Sequence, residues 1–227
     1  RNSTDMTKYF IIYVIPCVLT GLSNRLYEKR YCRLKIRINK EIQFHLKALF
    51  PIFFSNIATI IYINSDITML GILCGEKSVG LYSISTKIYN VGKNIFFAMT
   101  AVYVPRLSLL IQKKEFSVFS EKVHKFIMDI LPLTIAAAVG IIGLGSELIS
   151  LFAGLSYLEG VKSLHILAVA IVFAVLNGIN TTIILIPLRE EKLVLKATIC
   201  SAVLNLMLNI ILLPVYQQNG AAFTTLL

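Results

Sequence analysis

Ser163-Leu-His-Ile-Leu-Ala-Val-Ala-Ile-Val-Phe-Ala-Val-Leu-Asn-Gly-Ile-Asn-Thr-Thr-Ile-Ile-Leu-Ile-Pro-Leu188 runs without a single formal charge. Coiled as an α-helix it would be about 39 Å long, more than the ~30 Å hydrocarbon core of a bilayer. A second charge-free stretch, Ala197 to Leu227, follows after a short charged turn. The whole 227-residue chain is 56% hydrophobic and 15% charged, with a mean hydropathy of +0.76, whereas a soluble domain is about one quarter charged. A water-facing surface cannot be built from so few charges. The fold class predicted is therefore all-α, a polytopic transmembrane bundle.

Working outward, apolar runs bounded by charges and turn residues predict helices over Met6–Leu26, Ala48–Cys74, Val79–Pro105, Phe126–Gly145, Ser163–Leu188 and Leu193–Pro214, with a truncated seventh from Ala221. The net charge of +10 sits in the connectors, not on one basic face, which points to a membrane orientation and away from a nucleic-acid partner. The connector Arg25–Lys47 is rich in Lys and Arg and belongs inside; Gly75–Gly80 has only Lys77 as a base and belongs outside. Arg106–Lys125 returns inside, as does the Arg189–Lys196 turn, and the uncharged Tyr216–Gly220 falls outside. Tyr9–Asn24 is read as a membrane helix, since a basic segment and no small-residue cleavage pattern follow it. Lys35–Leu46 fits either a helix on the membrane surface or a solvated basic linker. Ser146–Lys162 is too apolar for a free loop and is expected along the external interface.

Charges at membrane depth are costly, so each is a candidate functional group. The predicted helix Val79–Pro105 has two, Lys87 and Lys93. At about 100° per residue, Ser83, Thr86, Lys87, Asn90, Lys93 and Asn94 share a sector of roughly 120°, with Ile84, Ile88, Val91 and Ile95 opposite. Lys87 and Lys93 straddle mid-membrane, where a wet cavity attracting an anion such as phosphate would explain them. Asp66 is expected at the depth of Lys87, where the two could form an ion pair, functional or merely satisfying two buried charges. Lys93 lacks an evident partner and is the stronger substrate contact. Asn177 with Asn180, and Asn205 with Asn209, are spaced to join helices by hydrogen bonds. Cys17, Cys32, Cys74 and Cys200 are isolated and read as packing residues, with no zinc or disulfide framework. No catalytic triad, shared carboxylate pair or phosphate-binding loop is present in the sequence, so no cofactor is expected and an enzyme is not the reading.

Asn64-Ser-Asp-Ile-Thr-Met-Leu-Gly71, Val79-Gly-Leu-Tyr82, Ser85-Thr-Lys-Ile88 and Pro105-Arg-Leu-Ser108 resemble, in order and spacing, the polysaccharide flippases of the multidrug and oligosaccharidyl-lipid exporter superfamily, which have a MATE-like fold. Asn205-Leu-Met-Leu-Asn209, Leu213-Pro214 and Gly220-Ala-Ala222 with Thr224-Thr-Leu226 look like that family's eleventh helix and the start of its twelfth. The resemblance implies two lobes of six helices. Residues 1–24 would be the last helix of the N-terminal lobe, 25–47 the cytoplasmic lobe linker and 48–227 the C-terminal lobe. The chain, which begins without Met, would then be a C-terminal portion. The resemblance further implies movement of an undecaprenyl-pyrophosphate-linked repeat unit for O-antigen or capsule across the bacterial inner membrane. In that setting Lys87 and Lys93 would attract the diphosphate, Asn90 and Asn94 contact sugar or phosphate oxygens, and Arg106 serve as a cytoplasmic gate or anchor. Membrane lipids and polysaccharide polymerase or chain-length proteins would be its partners. Competing expectations are a cation-coupled drug exporter of the same fold, a membrane polymerase or ligase, and a non-transporting scaffold.

Overall fold

The computed structural model describes residues 3–31, 53, 57, 60 and 64–227, and among them all regular structure is helical. Two compact units are present, Arg1–Pro51 and Ile52–Leu227. In the first, helix α1 (Ser3–Tyr31) contains Pro16, and the Thr20 hydroxyl donates to the Pro16 carbonyl at 2.7 Å. The rest of the basic connector, with the Lys35–Leu46 segment, lies outside the described residues.

The second unit holds α2 (residues 64–74), α3 (Glu76–Gln112), α4 (Phe116–Gly143), α5 (Gly145–Ala153), a 3-10 segment (Leu155–Gly160), α6 (Val161–Ile179) continued by a π-helical segment (Asn180–Leu185), and α7 (Glu191–Leu226). Four spans among the described residues are long and apolar enough to cross a membrane: α3, α4, Leu155–Leu185 and α7. The predicted helix Ala48–Cys74 is described only in part. The all-α polytopic class is borne out.

Helix α6 is the axle, packing on α3, α4 and α7. Its Leu164, Leu167, Ala168 and Ile171 are wholly inaccessible. On α4 the buried residues Phe119, Val123, Phe126, Ile130, Thr134 and Ala138 recur at three- and four-residue steps and form one stripe. The Thr134 hydroxyl is satisfied by the Ile130 carbonyl at 2.8 Å, so a polar atom is carried into the core without an unpaired donor. Outside that stripe, Met128, Leu133, Ile135 and Val139 are exposed. In water such a surface would be an aggregation hazard; against lipid tails it costs nothing.

Several boundaries differ from expectation, for local reasons. Pro105 does not end α3, which runs on to Gln112, because proline removes only one ladder hydrogen bond while Leu107 beyond it is 2% exposed. The internal connector shrinks to Lys113–Glu115, with Lys114 at φ 61° closing the turn, and α4 starts at Phe116. Gly75 at φ 84° makes the turn from α2 to α3, where a side chain would be strained. Gln217 (φ 49°, ψ −129°) breaks α7 into two helices, so the last one starts just before Ala221. Ser146–Lys162, expected not to be a free loop, forms α5 and the 3-10 segment, which dock through Ile149 and Gly160 while Leu151, Phe152 and Leu155 stay exposed. Of the cysteines described, Cys74 donates to the Leu213 carbonyl, but Cys17 and Cys200 are exposed and do not pack in the core.

Candidate functional site

Helix α3 has three faces. Ser78, Leu81, Tyr82, Ser85, Tyr89, Phe96, Thr100 and Leu107 form its buried stripe. Measured at about 100° per residue, Lys87, Asn90 and Asn94 lie on the far side of the helix from that stripe, and all three are exposed. Val91 and Ile95 form the apolar exposed face beside them. Lys93 sits at the border and is half-buried, its ammonium 4.8 Å from the centroid of Tyr89 and 5.9 Å from that of Phe97. Cation–π attraction holds this amine against the helix's own aromatic rings, nearer that of Tyr89. Arg106 is exposed, more than three turns beyond Asn94 by sequence. The four residues Lys87, Asn90, Lys93 and Asn94 are thus brought together as a polar strip directed out of the unit.

Asp66 does not pair with Lys87. Its Oδ1 accepts from Asn209 Nδ2 at 2.6 Å, and its Oδ2 accepts from Thr225 Oγ1 at 2.9 Å and the Tyr82 hydroxyl at 3.2 Å. The reason is rotational. Tyr82 is on the stripe facing Asp66, and Lys87, five residues on, is turned about 140° away. Equal depth along two helices does not place two side chains on facing sides.

Around Asp66 a closed network forms. Asn209 Nδ2 also donates to Asn205 Oδ1 at 3.1 Å, Thr224 Oγ1 donates to Asn209 Oδ1 at 2.7 Å, and Ser65 Oγ reaches Asn205 Oδ1 at 3.5 Å. Asp66, Tyr82, Asn205, Asn209 and Thr224 are all under a tenth exposed. Four segments meet here: α2, α3 and the two halves of α7. Asn205 and Asn209 join helices as their spacing suggested, whereas Asn177 and Asn180 are exposed and do not. Tyr82, Thr224 and Thr225 stand in the motifs that carry the resemblance, but no reading of the sequence assigned them a part in a site. The readable signal was the concentration of Asp66, Asn205, Asn209 and Thr224-Thr225 within segments otherwise apolar. Chemically, the buried carboxylate of Asp66 can hold a proton, and the α3 strip can attract an anion. No group of three or more His, Cys, Asp or Glu side chains able to hold a metal occurs among the described residues.

Residues 3–111 match the family described as polysaccharide biosynthesis protein. Along 98% of its length the chain is 23% identical to the capsular polysaccharide biosynthesis protein CapF of Staphylococcus aureus, covering 57% of that protein. It is 27% identical over 76% of its length to the Haloferax volcanii protein assigned by name as the low-salt glycan biosynthesis flippase Agl15, covering 36% of it. A Shigella dysenteriae protein assigned by name as an O-antigen transporter is 24% identical over 82% of the chain, with 46% of that protein covered. The chain therefore spans between about a third and somewhat over half of the length of these relatives. No solved structure matches. These likenesses bear out the resemblance carried by the motifs from Asn64 to Leu226: the chain resembles the membrane flippases of polysaccharide biosynthesis.

Proposed function

We propose that this chain is the C-terminal portion of a transporter that flips undecaprenyl-pyrophosphate-linked oligosaccharide repeat units across the bacterial cytoplasmic membrane, by alternating access and without enzymatic chemistry. The observation that carries the reading is the polar strip Lys87, Asn90, Lys93 and Asn94, exposed on a membrane-length helix whose opposite stripe is buried. Two ammonium groups facing lipid at mid-depth would be expensive, so a wet, anion-accepting cavity is the setting that fits them. A second lobe opposite this face would close the cavity, and rocking of one lobe against the other would expose it to each side in turn. Residues 48–227 are read as one lobe and the basic segment 25–47 as the linker. Replacing Lys93 with Ala in the full-length protein is expected to abolish polymer display at the cell surface. Unchanged display at equal expression would remove Lys93 from the mechanism.

One observation favours a second reading, a cation-coupled exporter of the same fold. The buried carboxylate of Asp66 accepts from the hydroxyls of Tyr82 and Thr225 and from the amide nitrogen of Asn209, and no cationic side chain among the described residues pairs with it. Asp66→Asn keeps the shape and removes the charge. Export of a cationic dye that becomes insensitive to proton and sodium gradients in that variant, with polymer display intact, would favour the exporter.

A further inference from the structure

The polar strip of α3 was assigned to one helix, yet the packing of α3 on α6 continues it onto a second. Three glycines fix how these helices lie. A Cβ built on Gly160 would come 3.1 Å from the Leu81 carbonyl oxygen, one on Gly92 would come 3.1 Å from Ile171 Cδ1, and one on Gly178 would come 2.6 Å from the Phe97 ring. The contacts ascend together in both sequences, so α3 and α6 run parallel and close.

Lys93 follows the contact residue Gly92, and Asn177 precedes the contact residue Gly178. On parallel right-handed helices, the step after a contact on one and the step before a contact on the other turn to the same side. Lys93 and Asn177 therefore flank one side of the seam, with Thr181 a turn further on. They are separated along the axes by about one turn, roughly 5 Å. The Lys93 ammonium lies 4.8 Å from the Tyr89 centroid and 5.9 Å from that of Phe97, whose ring rests on Gly178. Asn177 is exposed and makes no side-chain hydrogen bond among the described residues. Immediately beyond it α6 widens into the π-helical segment Asn180–Leu185, a deformation that recurs at functional sites.

Resting on the flippase reading above, we infer that Asn177 and Lys93 form the two walls of one solute groove along the α3–α6 seam. Asn177 recognises the sugar hydroxyls next to the phosphate that Lys93 attracts. A carboxamide both donates and accepts, which suits a hydroxyl-rich ligand, and the ammonium supplies the charge an anionic linkage needs.

The test uses the full-length protein with its native cysteines replaced, carrying Asn94→Cys or Asn177→Cys, and the membrane-impermeant anion sulfonatoethyl methanethiosulfonate as probe. Both sites are expected to react at rates within about tenfold of each other, and a Lys93→Cys, Asn177→Cys pair to be bridged by dibromobimane. Reaction at position 94 with none at 177, or failure of the bridge, overturns the two-helix groove and leaves the lysine strip standing. No reaction at either position overturns both readings. Asn177→Ala is expected to lower polymer display about tenfold, the scale of one lost hydrogen bond. Parental display in Asn177→Ala, where Lys93→Ala abolishes it, also overturns the role of Asn177.

Discussion

The Asn209 amide makes three side-chain hydrogen bonds in the second unit, donating to Asp66 and Asn205 and accepting from Thr224. Its side chain is wholly inaccessible. Hydrogen bonds between membrane helices contribute modestly when made, about 0.6 kcal/mol on average, but an orphaned buried partner costs about 1 to 3 kcal/mol. Asn209→Leu strips partners from three buried groups at once and should lower stability by about 1 to 3 kcal/mol, read as a drop in melting temperature of the detergent-purified protein. Thr225→Val, which removes a hydroxyl shared between Asp66 and Tyr82, should cost less in the same assay. Gln217 makes the opposite prediction. Its backbone lies in a region open mainly to glycine, yet its side chain accepts from Ser78 at only 3.4 Å. Gln217→Gly should therefore leave stability unchanged or raise it by up to ~1 kcal/mol; a clear loss would show that the Ser78 contact outweighs the strain. The sequence showed the polar residues of this network but not their grouping, because depth along a helix can be counted from turns whereas rotation about it depends on which stripe packs. That difference separated Asp66 from Lys87 and joined it to Tyr82.

At the scale of elements, the long helices were legible because lipid imposes a length on apolar runs, and their ends were less so. Prolines and charged residues mark boundaries in water-soluble helices, but α3 passes through Pro105 and α4 begins ten residues before the expected Phe126, its first turns amphipathic and docked by Phe119 and Val123. Residues Ser146–Lys162 read as interfacial from their apolar content alone, and α5 gives that reading a geometry. Ile149 is fully buried beneath it, while Leu151, Phe152 and Leu155 are 79%, 68% and 74% exposed. The segment joins two membrane-length spans, and exposed apolar side chains at such a junction are those expected to meet the outer leaflet. A nitroxide at Leu151→Cys should be more accessible to oxygen than to a water-soluble nickel chelate in reconstituted vesicles, and one at Ser156→Cys the reverse. Equal chelate access at both positions would place α5 in water.

For the molecule as a whole, orientation rests on where the bases fall. The turn Lys113–Glu115 and the residues flanking it carry Lys113, Lys114, Lys122 and Lys125, whereas the turn at Gly75 and the kink at Gln217 bear almost none. Shrinking the connectors into tight turns did not disturb this pattern, since the lysines moved from loops onto the exposed first turns of α4 without changing sides. At the other end of the spans, Lys77 and Glu159 pair at 2.7 Å while both remain largely exposed, a contact worth little in stability but consistent with water at that end. The polar strip of α3 begins nearly three turns from Lys77, on the side of the helix turned away from the Asp66 network. A cysteine at Ser117 should label with an impermeant maleimide only in inverted vesicles, and one at Ser156 only in right-side-out cells, because the one span between them, α4, puts them on opposite sides and the lysine-bearing turn belongs in the cytoplasm. Labelling of Ser117→Cys from the cell exterior would reverse the orientation, and with it the direction of the transport proposed for the Lys93 face.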